Sequence, residues 1–201
     1  MGVYDTWFSV YPKAIMSLRH AILTALLERP SSGLDLTRRF DRSIRFFWSA
    51  THQQVYRELA KLEAEGLVRA VPQPPSRGSR KEYEVLGNGR DDLLAWVGRS
   101  EGPKPIRDPL LVRLRAAAAL AQGRESILAQ MRLHRAEHQR QLDEYLEIAE
   151  RDFKKDDLDE AGQLRGLILK AGIGLEEFWI SWLEDSIADI SVMCDVPAER
   201  S

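Results

Sequence analysis

Apolar residues recur at helical spacing along most of the chain, and one short stretch of sheet-like alternation separates two groups of such patterns. In FFWSATHQQVYRELAKLEAEGLV, Val55, Leu59 and Leu62 fall at i, i+4 and i+7, which predicts a helix with one buried side. Thr51 and Gln54 have the spacing of a capping box, so we expect the helix to begin there. The opposite side carries side chains that donate hydrogen bonds: Thr51, His52, Gln53, Tyr56, Arg57 and Lys61.

Two further helices are predicted before this one and a β-hairpin after it. Apolar spacing over residues 18–27 indicates the first helix, and Ser31 or Ser32 caps the second. The β-prone runs 67–71 and 83–85 indicate two strands joined by a long proline-containing loop. This order predicts a winged helix-turn-helix in which the third helix binds in the major groove of DNA and the hairpin forms a two-stranded wing. Basic loop residues are usually only solvated, but on a wing we expect them to contact phosphate: Arg77, Arg80 and Lys81.

The remainder of the chain predicts a fourth helix, a linker and a second region that is wholly helical. The linker is GPKPIRDP at residues 102–109, with three prolines. Helical patterns follow at residues 110–120, 125–153 and 159–192. The last two are long, and a hairpin made from them cannot cover its own apolar stripes, so a second copy of the chain is the expected partner. The predicted homodimer contacts are Leu142, Tyr145, Leu175, Phe178 and Trp182.

These patterns divide the chain into three regions. They are an N-terminal extension (residues 1–15), a winged helix-turn-helix domain (16–101) and a helical dimerisation and effector domain (102–201). The extension has aromatic residues but no clear period. Three interpretations of it stay open: a short helix on a partner, a disordered segment, or the product of a start codon placed too early.

Composition and charge agree with a protein that binds nucleic acid through one half only. The sequence has 201 residues and one cysteine, Cys194, which excludes an internal disulfide and fits a reducing cytoplasm. The net charge is −2, but residues 16–99 hold 14 Lys or Arg and 10 Asp or Glu, whereas residues 100–201 hold 14 and 20. The first half is therefore basic by 4 charges and the second acidic by 6, which favours a division of tasks between them.

Five segments in this order resemble the PadR family of bacterial transcriptional regulators: HAILTALLE, SSGLDLTRRFD, FFWSATHQQVYRELAKLEAEGLV, RKEYEVLGNGRDDLLAWV and RDPLLVRL. The resemblance covers residues 16–114, and the C-terminal helices resemble the longer subgroup in architecture. It implies a homodimeric winged-helix repressor that binds double-stranded operator DNA and is often released by a small aromatic or cationic effector. Leu34 and Gly87 depart from the family pattern, which usually has Tyr and Thr there, but neither position is expected to contact bases.

Other kinds of chemistry have weaker support. His134 and His138 have i, i+4 spacing, which can chelate a metal, but without further ligands the pair is more simply a polar interruption of a helical stripe. No glycine-rich phosphate loop or nucleophile elbow is present, so we expect neither an enzyme nor a cofactor.

The main alternative function is a winged helix used only as a protein-interaction module, without specific DNA binding. The donor-rich side of the third helix favours DNA, since interaction modules tend to carry acidic or apolar faces there. Aromatic residues also suggest an effector pocket for a planar compound, although stripes at helical spacing are more often packing. The candidate pocket residues are Trp96, Phe178, Trp179 and Trp182.

Overall fold

The chain divides into two compact units, which we call the winged unit (Met1–Gly102) and the helical unit (Pro103–Ser201). Each has its own apolar core. The predicted contacts Arg77 and Arg80, and the N-terminal extension, lie outside the part of the chain that the structure describes. The computed structural model describes five stretches: residues 18–39, 51–71, 81–103, 105–154 and 158–193.

In the winged unit, three helices enclose a core and a small sheet lies beside them. The core includes side chains that are almost wholly buried, from α1 (Ile22, Leu23, Leu26), α2 (Leu36), and α3 (Val55, Leu59, Leu62). Their helical spacing is the reason that each helix has a single inward side. The elements follow in the order α1 (Leu18–Glu28), β1 (Ser31–Ser32), α2 (Gly33–Arg39), α3 (His52–Ala64), β2 (Val68–Val71), β3 (Glu82–Val85) and α4 (Gly87–Val97).

The sheet has three antiparallel strands in the order β1-β3-β2. Strands β2 and β3 form the predicted hairpin, with Val68 opposite Val85 and Val71 opposite Glu82. Strand β1 was not predicted, because two serines carry no alternation that would reveal a strand. It adds to the outer edge of β3, with Ser31 opposite Tyr83, while Ser32 also caps α2 by accepting from the Asp35 amide at 3.1 Å.

The helical unit contains α5 (Pro109–Leu120), α6 (Arg124–Asp152) and α7 (Glu160–Val192). Aspartates begin two of them, since Asp108 accepts from the Leu110 amide and Asp159 from the Gly162 amide, at 2.6 and 2.7 Å. None of the helices in the described stretches is both long and apolar enough to span a membrane. The small core of this unit consists of Leu110, Ile127, Met131 and Leu183.

Helices α6 and α7 form an antiparallel hairpin. Moving toward the N-terminus of α6, Tyr145 lies against Gly172, His138 against Glu176, and Arg135 against Glu184. The predicted mainly helical fold, with a winged helix-turn-helix followed by a helical hairpin, is therefore confirmed.

Candidate nucleic-acid interface

Helix α3 has well-defined ends, which keep its exposed side in one orientation. Thr51 Oγ1 accepts from the Gln54 amide at 3.3 Å, and Gln54 Oε1 accepts from the Thr51 amide at 2.8 Å, so the predicted capping box is present. At the other end, Gly66 has φ +69°, which favours glycine, and the Leu67 amide donates to Leu62 O at 2.9 Å. The chain leaves this turn directly into β2.

The predicted recognition side chains lie on the exposed side of α3. Tyr56 is half exposed, and Lys61 Nζ lies 3.4 Å from Glu58 Oε2 on the same helix. The pair leaves the Lys61 charge near the surface, since its side chain is 58% exposed. All six predicted side chains are exposed, on α3 or at its N-cap: Thr51, His52, Gln53, Tyr56, Arg57 and Lys61.

The wing lies directly after α3 in the chain. Lys81 is exposed and precedes β3, while Arg77 and Arg80 lie outside the described residues. Across the hairpin, Arg69 and Glu84 are register partners and form an ion pair. Glu84 thus neutralises Arg69, whereas Lys81 stands at the end of the hairpin near the loop.

A polar network ties α3 to α1 and α4. Arg19 of α1 donates to Glu65, at the C-terminal end of α3, at 2.6 Å, and its Nε lies 3.6 Å from Asp92 Oδ2 of α4. His20 Nε2 lies 3.4 Å from the same carboxylate, and the His20 ring stacks on Trp96 with a centroid separation of 4.5 Å. Burial lowers the pKa of His20, although the Asp92 charge acts in the opposite direction. The predicted pocket residue Trp96 is thus part of the packing between α1 and α4.

The predicted dimerisation residues differ in how far they are buried within the helical unit. Tyr145 is only 2% exposed and packs on Gly172 within the same chain, and Trp182 packs against the core. Leu175 and Phe178, by contrast, are 52% and 50% exposed. Leu142 is intermediate.

The remaining candidate pocket residues form a packed aromatic cluster on α7. Trp179 is buried, stacks on His138 at 5.7 Å, and meets Phe178 and Trp182 edge to face at 5.5 Å each. His138 Nδ1 and the buried Glu176 carboxylate are 2.5 Å apart. His138 thus pairs with α7 where the sequence suggested only an interruption.

Two residues that shape this surface, Gly33 and Arg39, are not predicted by the sequence pattern. Gly33, the first residue of α2, lies under the ring of Tyr56. Arg39 closes the C-terminal end of α1, since its Nη1 donates to Ala25 O at 2.7 Å and its Nη2 to Glu28 at 2.9 Å. Neither contact has a signal in the sequence, because the partners are 11 to 23 positions apart.

The fold and this exposed helix define a class of protein, the winged helix-turn-helix proteins with an appended helical unit. Comparison with known families agrees for both units. Residues 22–95 match the PadR-like family of transcriptional regulators, and residues 106–191 match the C-terminal domain of virulence activator alpha.

Two known proteins are similar to this chain over nearly their whole length. "Probable transcriptional regulator Rv1176c" of Mycobacterium tuberculosis is 38% identical over 85% of this chain and 95% of that protein. The Vibrio cholerae virulence activator AphA is 31% identical, with a TM-score of 0.74 over 88% of this chain and 99% of the other. The chain therefore belongs to the PadR-like family of transcriptional regulators, as its sequence predicted.

Bacillus subtilis PadR has been solved in two complexes that are both similar to this structure. The complex with operator DNA has 26% identity and a TM-score of 0.73 over 86% of this chain and 98% of the other. The complex with p-coumaric acid has 25% identity and a TM-score of 0.70 over 87% and 98%.

Proposed function

We propose that this regulator is a repressor that binds an inverted-repeat operator as a homodimer and is released by a small effector. The observation that carries the DNA-binding part is α3 itself. Its capped start, donor-rich exposed side and immediate continuation into a hairpin are the features with which a winged helix-turn-helix binds the major groove. The similarity to PadR bound to operator DNA supports the same assignment.

Within this proposal, Gln53 and Arg57 are the principal base readers. Glutamine pairs with adenine and arginine with guanine in the major groove. Lys81, with Arg77 and Arg80 from the loop before it, contacts phosphate.

The homodimer is supported by an apolar surface on α7. Leu164, Ile168, Leu175 and Phe178 follow one another at intervals of four, seven and three residues, so they lie along one side of the helix. All four are at least half exposed in the single chain. Because so large an apolar surface is unfavourable in water, a second copy of α7 is the proposed cover. A two-fold dimer presents two recognition helices, and this requires an inverted repeat.

The effector proposal is supported by the PadR complex with p-coumaric acid. We propose a small aromatic or cationic compound that contacts Trp96 or the cluster of Phe178, Trp179 and Trp182. Such a compound lowers DNA affinity only by binding the DNA-free form better. Tryptophan emission reports on both sites.

Selection of random double-stranded DNA on the purified protein, followed by footprinting, tests the function. The expected result is an inverted repeat whose half-sites are about one helical turn apart or a multiple of it, protected by a dimer. Binding is expected to weaken steeply as salt is raised. Protection of one unrepeated site by a monomer, or no enrichment of any sequence, contradicts the proposal.

A matched pair of arginine variants tests the assignment of α3. Arg57→Ala is expected to lower operator affinity by about 1–3 kcal/mol, because a base contact is lost. Arg115→Ala removes an exposed arginine of α5 and is expected to leave affinity unchanged. Equal losses in both variants would assign binding to overall charge and not to α3.

A further inference from the structure

Tyr56 differs from the other recognition side chains in its position around α3. Val55, Leu59 and Leu62 face the core, and Gln53 and Arg57 are exposed on the opposite side. Tyr56 lies between these two sides, on the flank of the helix, and is 49% exposed. Half of its surface is therefore in contact with protein.

The Tyr56 ring lies against Gly33, at the start of α2. A Cβ atom on Gly33 would overlap Tyr56 Cε1 and lie 3.0 Å from Cζ and 3.1 Å from Cδ1. Gly33 has no positive φ, unlike Gly66, so backbone conformation does not require glycine there. Glycine is required there because the Tyr56 ring occupies the space of a side chain.

A second neighbour lies on the sheet. Burial raises the pKa of Tyr83 on β3, and Glu63 and Tyr56 add to this increase. Glu63 is seven residues from Tyr56 and so on the same side of α3. The Tyr56 ring is thus held on the flank of α3 that faces the start of α2 and strand β3.

We propose that Tyr56 binds a DNA phosphate through its hydroxyl group and that Gly33 positions it, while Gln53 and Arg57 read bases. This inference rests on the proposed function. In a helix-turn-helix, the first helix crosses the DNA backbone and the second enters the major groove. Here α2 is the first of these helices, so a side chain of α3 that packs on α2 points to the groove wall, where the phosphates lie. A tyrosine hydroxyl can donate to a phosphate oxygen.

A neutral donor has a distinctive signature in binding measurements. Loss of one hydrogen bond to a charged acceptor lowers affinity by about tenfold. Because a phosphate carries no sequence information, operator and scrambled DNA are affected equally. Because a neutral hydroxyl releases no counterion, loss of the Tyr56 hydroxyl leaves the salt dependence of DNA affinity unchanged. Loss of Lys81, by contrast, reduces the slope of log affinity against log salt concentration by about one.

Fluorescence anisotropy with the selected operator and a scrambled duplex, at several salt concentrations, tests this assignment. Tyr56→Phe is expected to lower both affinities by about tenfold. The ratio of operator affinity to scrambled-duplex affinity and the salt dependence are expected to stay unchanged. Gln53→Ala is the contrasting variant and is expected to lower the ratio. Wild-type affinity in Tyr56→Phe overturns the phosphate contact, and an altered ratio would make Tyr56 a base reader. If the wild-type chain binds neither duplex, the proposed function itself fails.

The role of Gly33 is tested by a double-mutant cycle with Tyr56. Gly33→Ala is expected to displace the ring toward solvent, because the added methyl group would overlap it, and to lower affinity at least as much as Tyr56→Phe. In a Tyr56→Ala background, Gly33→Ala is expected to have no further effect, since there is no ring to displace. If Gly33→Ala lowers DNA affinity by the same factor in both backgrounds, Gly33 does not act through Tyr56. Thermal unfolding of each variant checks that the fold persists. If Gly33→Ala does not fold, the Tyr56→Phe measurement still tests the phosphate contact.

Discussion

The two units differ in how completely they bury their own apolar side chains. In the winged unit, the core side chains of α1, α2 and α3 are almost wholly buried, and the large apolar groups that stay exposed among the described residues are Tyr56, Leu94 and Val97. Among the described residues of the helical unit, the core cluster has four buried members, Leu110, Ile127, Met131 and Leu183. Its described helices leave many large apolar groups exposed, including Leu133, Leu146, Leu164, Leu167, Ile168, Leu175 and Phe178.

This difference has a simple geometric origin. Three short helices and a sheet surround a common centre, so every inward side is covered. Two long helices side by side touch along one stripe each and leave the remaining surface of both in water. We therefore propose that the winged unit is complete as one chain, whereas the helical unit needs a second copy to cover its exposed apolar side chains.

The largest expected effect comes from charging the exposed surface of α7. Phe178→Glu places a carboxylate at the proposed contact between two copies, where burial without a partner is very unfavourable. We expect a monomer, and operator affinity lower by roughly 100-fold or more because the second half-site no longer contributes. Sedimentation velocity and DNA binding measure the two consequences.

Leu94→Glu is the matched control, since Leu94 is 73% exposed on α4 of the winged unit. It is expected to remain a dimer with wild-type stability. A dimer in Phe178→Glu, or a monomer in Leu94→Glu, would place the interface elsewhere.

An intermediate effect is expected from alanine at the buried glycine Gly89. At Gly89, a Cβ would overlap the carbonyl oxygen of Leu67 and lie 2.8 Å from Val85 Cγ1. Since backbone cannot easily move aside, Gly89→Ala is expected to lower the free energy of unfolding by roughly 2–3 kcal/mol. At Gly87, two residues earlier, no described atom lies within 4 Å, and alanine is expected to change stability by less than about 0.5 kcal/mol.

The helical unit is expected to tolerate the same change better. A Cβ at Gly172 would lie 3.1 Å from the Tyr145 ring, and one at Gly174 meets no described atom within 4 Å. Gly174→Ala is expected to stabilise by up to about 1 kcal/mol through helix propensity, and Gly172→Ala by less. Urea unfolding measures all four variants. A larger loss at Gly172 than at Gly89 would reverse the contrast between the units.

The smallest effect concerns pH and His20. Burial lowers the folded-state pKa of His20 below the ordinary value of 6.5, so the unfolded chain takes up this proton first. Stability from His20 is therefore fully present above pH 6.5 and declines as the pH falls toward the folded-state pKa. His20→Gln is expected to reduce the loss of stability between about pH 8 and about pH 5, measured by urea unfolding.

His52→Gln, at an exposed histidine of α3, serves as the control for this measurement. If the two variants behave alike, His20 does not govern the acid sensitivity of the winged unit.

Much of the fold was predictable from the sequence because its signals are local. The capping box of Thr51 and Gln54, the spacing of Val55, Leu59 and Leu62, and the positive-φ glycine after α3 all act within a few residues. Such patterns specify where a helix begins, which side it buries and where it ends. The exposed side of α3, and with it most of the candidate site, follows from the same pattern.

The tertiary structure decided which of these residues meet. Strand β1 exists only because β3 offers it an edge, and Gly33 matters only because Tyr56 lies over it. Among the aromatic residues of α7, the sequence could not separate the buried Trp179 from the half-exposed Phe178, since adjacent positions of one stripe look alike until a partner helix covers some of them. Periodicity determines which side of a helix or strand is buried and which is exposed. Contacts between residues distant in the chain depend on how whole helices and strands pack.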